Sequence, residues 1–186
     1  MRKTERFTFF FSEHDVFSNW YHQPFMLRGV LFGCVEQAMM YAKAIEFGDT
    51  AIAAKILAEP HPRQQKKLGR QVKPYDDARW KAVARNVVYA AAHAKFTQHA
   101  DLGRRLRETH GTILVEASPY DNLWGVGLGQ NDPRIEDPSK WLGLNWLGEV
   151  LTRLRTDLEP VWAREQQAKA AAHAPDPTAC RSPRMD

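Results

Sequence analysis

The stretch VEQAMMYAKAIEFG carries a carboxylate, Glu36, and an amine, Lys43, seven residues apart. On an α-helix that separation leaves two side chains about 20° apart around the axis and roughly 10 Å apart along it. Both flank the apolar stripe Val35, Ala38, Met39, Ala42 and Ile45 rather than oppose it. A carboxylate and an ammonium group at the margin of a core can border a pocket; the same spacing also suits two ordinary exposed charges. A second cluster is Ser118-Pro119-Tyr120-Asp121-Asn122-Leu123-Trp124-Gly125-Val126-Gly127. An indole face stacks on a planar ligand, and glycines let backbone N–H groups approach it. Asp121 can accept hydroxyl hydrogens or a proton. The alternative for this cluster is an Asx-turn beside a buried tryptophan.

Other chemistries find less support. The glycines read G-x-G-x-G after a tryptophan, not G-x-G-x-x-G after a strand, so a dinucleotide-binding turn is not indicated. There is no phosphate-loop pattern and no G-x-S-x-G nucleophile elbow. His93 and His99 would lie on different helix faces, and His14, His22, His61 and His110 are scattered, so no metal site and no cofactor is expected. Cys34 and Cys180 are too few for a disulfide framework or a four-cysteine zinc site, and a reducing cytoplasm is the expected compartment. A thiolate at Cys34 could be stabilised by the helix that follows it, but a buried structural thiol is the plainer reading.

These side chains must be carried by a modest set of elements. Phe7–Phe11 reads as a strand and as core, and residues 25–33 as a hairpin turning at Arg28–Gly29. A helix over 35–47 stops at Gly48, and Asp49 caps a second over about 50–58. His61–Pro62 opens a third that ends at Gly69. Asp76 or Asp77 caps a long helix to about 98, with Trp80, Val83, Val87, Ala91 and Ala94 at helical spacing. A short helix over 100–108 and a strand over 113–117 follow. Residues 118–141 make a long loop whose Tyr120, Leu123, Trp124 and Trp141 argue against disorder. Asn145 caps a final helix carrying Leu147, Val150, Leu151 and Leu154. The expectation is one α+β domain, mainly helical with a few short strands, over residues 6–158. From Pro160 a short fraying helix leads into a disordered tail, with 159–186 outside the domain.

Composition narrows the function classes. In 186 residues, 44% are hydrophobic and 26% charged, which excludes collagen-like, coiled-coil and wholly disordered chains. No apolar run is long enough to span a membrane, and the N-terminal aromatic run is too short for a secretory signal. The net charge of +4 is localised. Between residues 63 and 85, eight Lys and Arg face only Asp76 and Asp77, while the remaining chain holds 18 basic and 20 acidic residues. Such a patch suits phosphate, nucleotide or nucleic acid, or is simply a solvated helix face.

Pieces spread over about residues 9–155 resemble, in order, the NADAR family of YbiA-like proteins. They are Phe17-Ser18-Asn19-Trp20-Tyr21, Pro24-Phe25, Gly29-Val30, Val35-Glu36-Gln37, Leu68-Gly69-Arg70, Trp80 and Ala94-Lys95-Phe96. Then come Leu114-Val115-Glu116-Ala117-Ser118, Asp121, Trp124-Gly125-Val126-Gly127, Gly143-Leu144-Asn145 and Leu147-Gly148. No single piece is specific; their order is. The chain departs from the family pattern at Trp20, where Phe is commoner, at VEQ in place of VEH, and in a longer insert between Gly129 and Leu142.

The resemblance implies a YbiA-like fold and an N-glycosidase acting on ribosyl compounds. The implied substrates are phosphoribosylated pyrimidine intermediates of riboflavin synthesis, or ADP-ribosylated guanine in nucleic acid. The alternative is a binding module for ADP-ribose or NAD without turnover, and a nucleic-acid binder using the 63–85 patch stands third. By resemblance Glu36, Trp80, Asp121 and Trp124 are active-site positions, with Lys43, Asn19, Arg70 and Asn145 as weaker transfers and Gly125 at the stacking tryptophan. Glu36 and Asp121 form the carboxylate pair that sugar hydrolases use. Trp80 or Trp124 stacks on the base, Arg70 holds phosphate, and Lys43 is a candidate amine nucleophile toward an opened ribose.

Overall fold

The computed structural model describes residues 1–172. The chain divides into two compact units, Met1–Arg155 and a second beginning at Thr156. Strand β1 (Arg2–Lys3) was not foreseen from sequence. It pairs antiparallel with β2 (Phe7–Phe10), which runs parallel to β5 (Ile113–Glu116) in the order β1-β2-β5. All four β2 residues are buried, as expected of a central strand covered on both faces. Its one polar side chain, Thr8, is satisfied by a 2.8 Å hydroxyl–hydroxyl hydrogen bond to Thr112.

The two faces of β2 bury different partners. On one, Phe7 and Phe9 join Val115, Ala117, Val126, Leu128 and Ile135, with Trp141 against them. Five of these residues come from the long segment after β5, which explains why it is ordered with little regular structure. The Trp141 indole N–H closes that segment by donating to the Ile135 carbonyl at 2.8 Å. On the other face Phe10 meets Phe17 edge-on, and Phe17 stacks on Phe96.

The hairpin forms where expected, from β3 (Phe25–Leu27) and β4 (Val30–Phe32). Arg28 at φ 51° and Gly29 at φ 79° give the two left-handed residues of a type I′ turn. Helix α1 (Val35–Glu46) follows and packs on α2 (Thr50–Ala58), α3 (Pro62–Gly69) and α4 (Asp77–Gln98). Gln37, the variant residue of VEQ, ties this core together. Its amide oxygen accepts from Gly33 N–H at the start of α1, and its amide N–H group donates to the carbonyls of Ile56, Leu57 and Glu59 at the end of α2. Cys34 is buried and its thiol donates to Gln65; burial pushes its pKa up to about 11, so it stays a thiol. Asp49 and Asp76 cap α2 and α4 through their side chains, as predicted.

Two expectations shift. The buried stripe of α4 runs through Trp80, Ala84, Val88, Ala91 and Lys95, leaving Val83 and Val87 at its half-buried edge. After α5 (Ala100–Arg107) and β5, a single 3₁₀ turn (Pro138–Lys140) interrupts the long loop before α6 (Trp146–Ala172). Asn145 precedes α6 at φ 53°, but its side chain does not cap the helix. It reaches the free edge of β5 instead, accepting from Glu116 N–H and donating to the Leu114 carbonyl, both at 3.0 Å. Pro160 lies within α6, which continues to Ala172; the tail expected beyond lies outside the described residues from 173 onward. Among the described residues no helix is long and apolar enough to cross a membrane.

Candidate active site

Helices α1 and α3, the end of β5 and the loop after it enclose a cavity of about 190 Å³. Pockets for drug-sized ligands span roughly 300–1,000 Å³, so this one suits a sugar ring with its substituents reaching outward. Of the predicted residues, Asn19, Glu36, Lys43, Arg70, Asp121 and Trp124 line it. Trp80, Gly125 and Asn145 do not. Trp80 is buried on α4, and Asn145 is buried against β5.

Glu36 is the most enclosed of these groups, at 2% exposure. Its backbone N–H, one of the orphan donors of the first helical turn, is taken by the Asn19 carbonyl at 2.9 Å. Trp20 donates its indole N–H to Glu36 Oε2 at 3.3 Å. Glu36 Oε1 is buried with no partner. Burial raises the Glu36 pKa to about 7, against the opposing pull of Lys66. The Asn19–Trp20 loop is itself tethered, because the buried Lys95 ammonium donates to the Tyr21 carbonyl at 2.9 Å.

Asp121 is held on all sides. Its Oδ1 accepts from Leu123 N–H and Trp124 N–H, an Asx-turn, while Oδ2 pairs with Lys66 at 3.2 Å. The Asx-turn reading of that loop therefore holds, and the turn lies in the lining of the cavity. Trp124 presents an indole to the cavity and is braced edge-on by Trp146 at 5.6 Å. Gly125 acts as a spacer. A Cβ there would stand 2.9 Å from both the Asp121 and Glu116 carbonyl oxygens, so only glycine lets these two chain segments come together. Gly69 does the same between α3 and α1, where a Cβ would collide with the Met40 sulfur.

Lys43 sits 4.1 Å over the Tyr75 ring, and partial burial lowers its pKa. A lysine so placed keeps a larger share of free amine than one in water. Arg70 follows α3 and has no acidic partner among the described residues. The rest of the 63–85 patch is divided. Arg79, Lys81 and Arg85 pair with Glu46, Asp77 and Glu149, so only Lys66 and Arg70 bring its charge to the cavity.

Beside the apolar lining of Met39, Met40, Gly69 and Leu123, three lining residues able to hydrogen-bond were missed from sequence as site residues: Trp20, Lys66 and Glu116. Glu116 is the last residue of β5, immediately before the loop that carries Asp121. Its Oε2 is buried without a partner. A glutamate ending an otherwise apolar strand, ILVE, was the available signal.

The chain is similar to several known proteins. The NADAR domain model matches residues 8–159. Protein irg-1 of Caenorhabditis elegans is 39% identical over 180 residues, covering 88% of this chain and 84% of that protein. An N-glycosidase of Acanthamoeba polyphaga mimivirus is 34% identical over 166 residues, covering 83% and 98%. The solution structure of Escherichia coli YbiA superposes with a TM-score of 0.66 at 27% identity, over 95% of this chain and 93% of that one. Likeness of this extent, in sequence and in fold, places the chain in the NADAR family.

Proposed function

We propose that this protein is a hydrolase of N-glycosyl bonds, cleaving the base–ribose bond of ribosyl-phosphate or ADP-ribosyl substrates. The observation that carries the reading is Glu36, a buried carboxylate with one free oxygen, in a sugar-sized cavity shared with Asp121 and Lys43. The mimivirus relative, named an N-glycosidase over nearly its whole length, supports it.

Breaking a ribosyl C–N bond builds positive charge at the anomeric carbon. The Glu36 carboxylate stabilises that charge and takes the proton of the incoming water. Asp121, oriented by Lys66 and two backbone N–H groups, accepts ribose hydroxyls. Trp124 offers its face to the base, and Arg70 at the mouth binds phosphate. In an alternative route to the direct attack of water, the Lys43 amine adds to C1 of the ring-opened ribose and expels the base, leaving a Schiff base that water then hydrolyses. The substrate fits either ADP-ribosylated guanine in nucleic acid or phosphoribosylated pyrimidines of riboflavin synthesis. Incubation of the protein with each, beside Glu36→Gln, decides between them. Cleavage of neither, with binding of ADP-ribose alone, would leave a binding module.

A further inference from the structure

Resting on that proposed hydrolysis, we infer that Glu116 is the proton donor of the reaction, delivering its carboxyl proton to the base nitrogen that leaves. Three carboxyl groups line the cavity, and their surroundings differ. Asp121 accepts at both oxygens, from two backbone N–H groups and the Lys66 ammonium, an arrangement for an acceptor with no proton to give. Glu36 accepts the Trp20 indole N–H at Oε2. Glu36 Oε1 and Glu116 Oε2 are both buried without a partner, so what separates the two glutamates is the Trp20 N–H, which Glu36 has and Glu116 lacks.

The charged groups around Glu116 favour its neutral form. Asp121, on the loop, and Glu36, on α1, repel a third negative charge, and only Lys66, on α3, attracts one. Lys43 and Arg70 complete the charged lining. Burial and the two carboxylates push the Glu116 pKa up to about 8, whereas on Glu36 Lys66 and the Trp20 N–H oppose burial and favour the ionised form. Two carboxyl groups whose environments separate them in this sense divide into acid and base. The Glu116 backbone is also locked, its N–H by Asn145 and its carbonyl by Val126 N–H at 3.0 Å.

The step balances without a further reactant. The electron pair of the C–N bond leaves with the base nitrogen, which takes the Glu116 proton. Water oxygen bonds to the anomeric carbon, and its proton passes to Glu36. Solvent returns a proton to Glu116 and removes one from Glu36.

The test is a kinetic comparison of wild type with Glu116→Gln on whichever ribosyl substrate the wild type cleaves. A series carrying bases of graded acidity provides the leaving groups. The variant is expected to lose at least about 10²-fold in kcat on the most basic leaving group and under about 5-fold on the most acidic. The wild-type alkaline limb near pH 8 should vanish. An equal loss across the series with the limb retained, or no loss, would overturn the inference. If the glutamine variant does not fold, Glu116→Asp serves: a retained alkaline limb at reduced rate supports a donor, and a lost limb refutes it. A wild type that turns over no ribosyl substrate instead sinks the hydrolase reading itself.

Discussion

At the residue scale, the decisive quantity is where protons sit on the cavity carboxyls. Glu36 has a folded-state pKa of about 7 against an ordinary 4.5. Between those values the folded chain holds a proton that the unfolded chain has released, so stability falls as pH rises through that window. At about 1.4 kcal/mol per pH unit, the penalty approaches 3 kcal/mol at neutral pH. Glu36→Gln removes the ionisation. Urea midpoints should therefore show the variant gaining stability over wild type at pH 8 relative to pH 5, and an unchanged difference would refute the assignment. The same variant should lose roughly 10²–10⁴-fold in kcat. Lys43 makes a separate prediction: borohydride added during turnover should attach substrate ribose at Lys43, detectable by peptide mass. Absence of any adduct would count against the amine nucleophile.

At the element scale, the site depends on how β5 meets the helices around it. The Asn145 amide does the work of a missing neighbouring strand, satisfying one donor and one acceptor on the β5 edge. Asn145→Ala leaves both unpaired beside α6 and places alanine at φ 53°. Each unmet buried group costs about 1–3 kcal/mol, and a left-handed alanine about 1 kcal/mol more. A total loss of about 3–7 kcal/mol should appear in chemical denaturation. Asn145→Gly, which relaxes the backbone alone, should recover only about the last of these. Stability equal to wild type in the alanine variant would mean that the β5 edge finds another partner. Asn145 was read from sequence as a helix cap and a ligand contact. Its residue type and place before α6 were visible, but the β5 edge lies 29 residues upstream and only the packed chain brings the two together.

At the scale of the whole molecule, the charge reads differently once partners are known. Arg63, Lys67, Arg70 and Lys73 are the cations of the 63–85 patch without an acidic partner among the described residues. Four phosphate contacts give a log–log salt slope for single-stranded nucleic-acid binding no steeper than about −3. Titration of unmodified single-stranded DNA at graded salt should show that shallow slope and weak binding. A slope near twice that would point to the dedicated nucleic-acid binder.

Much was legible without coordinates because it is local. The hairpin at Arg28–Gly29, the stop at Gly48, the caps at Asp49 and Asp76 and the opening at Pro62 each depend on a few neighbouring residues, and each forms. The Glu36–Lys43 spacing likewise needs only helical geometry, and both line one cavity. What the chain alone could not express is non-local. Glu116 and Asp121 stand about 80 residues from Glu36 in sequence, yet share its cavity because β5 lies parallel to β2 and Gly125 and Gly69 permit close approach. Family, element order and one face of the site thus follow from the sequence by itself. Which carboxyl is buried, which is paired and which holds its proton were decided by tertiary packing, since desolvation and charge proximity exist only once distant segments meet.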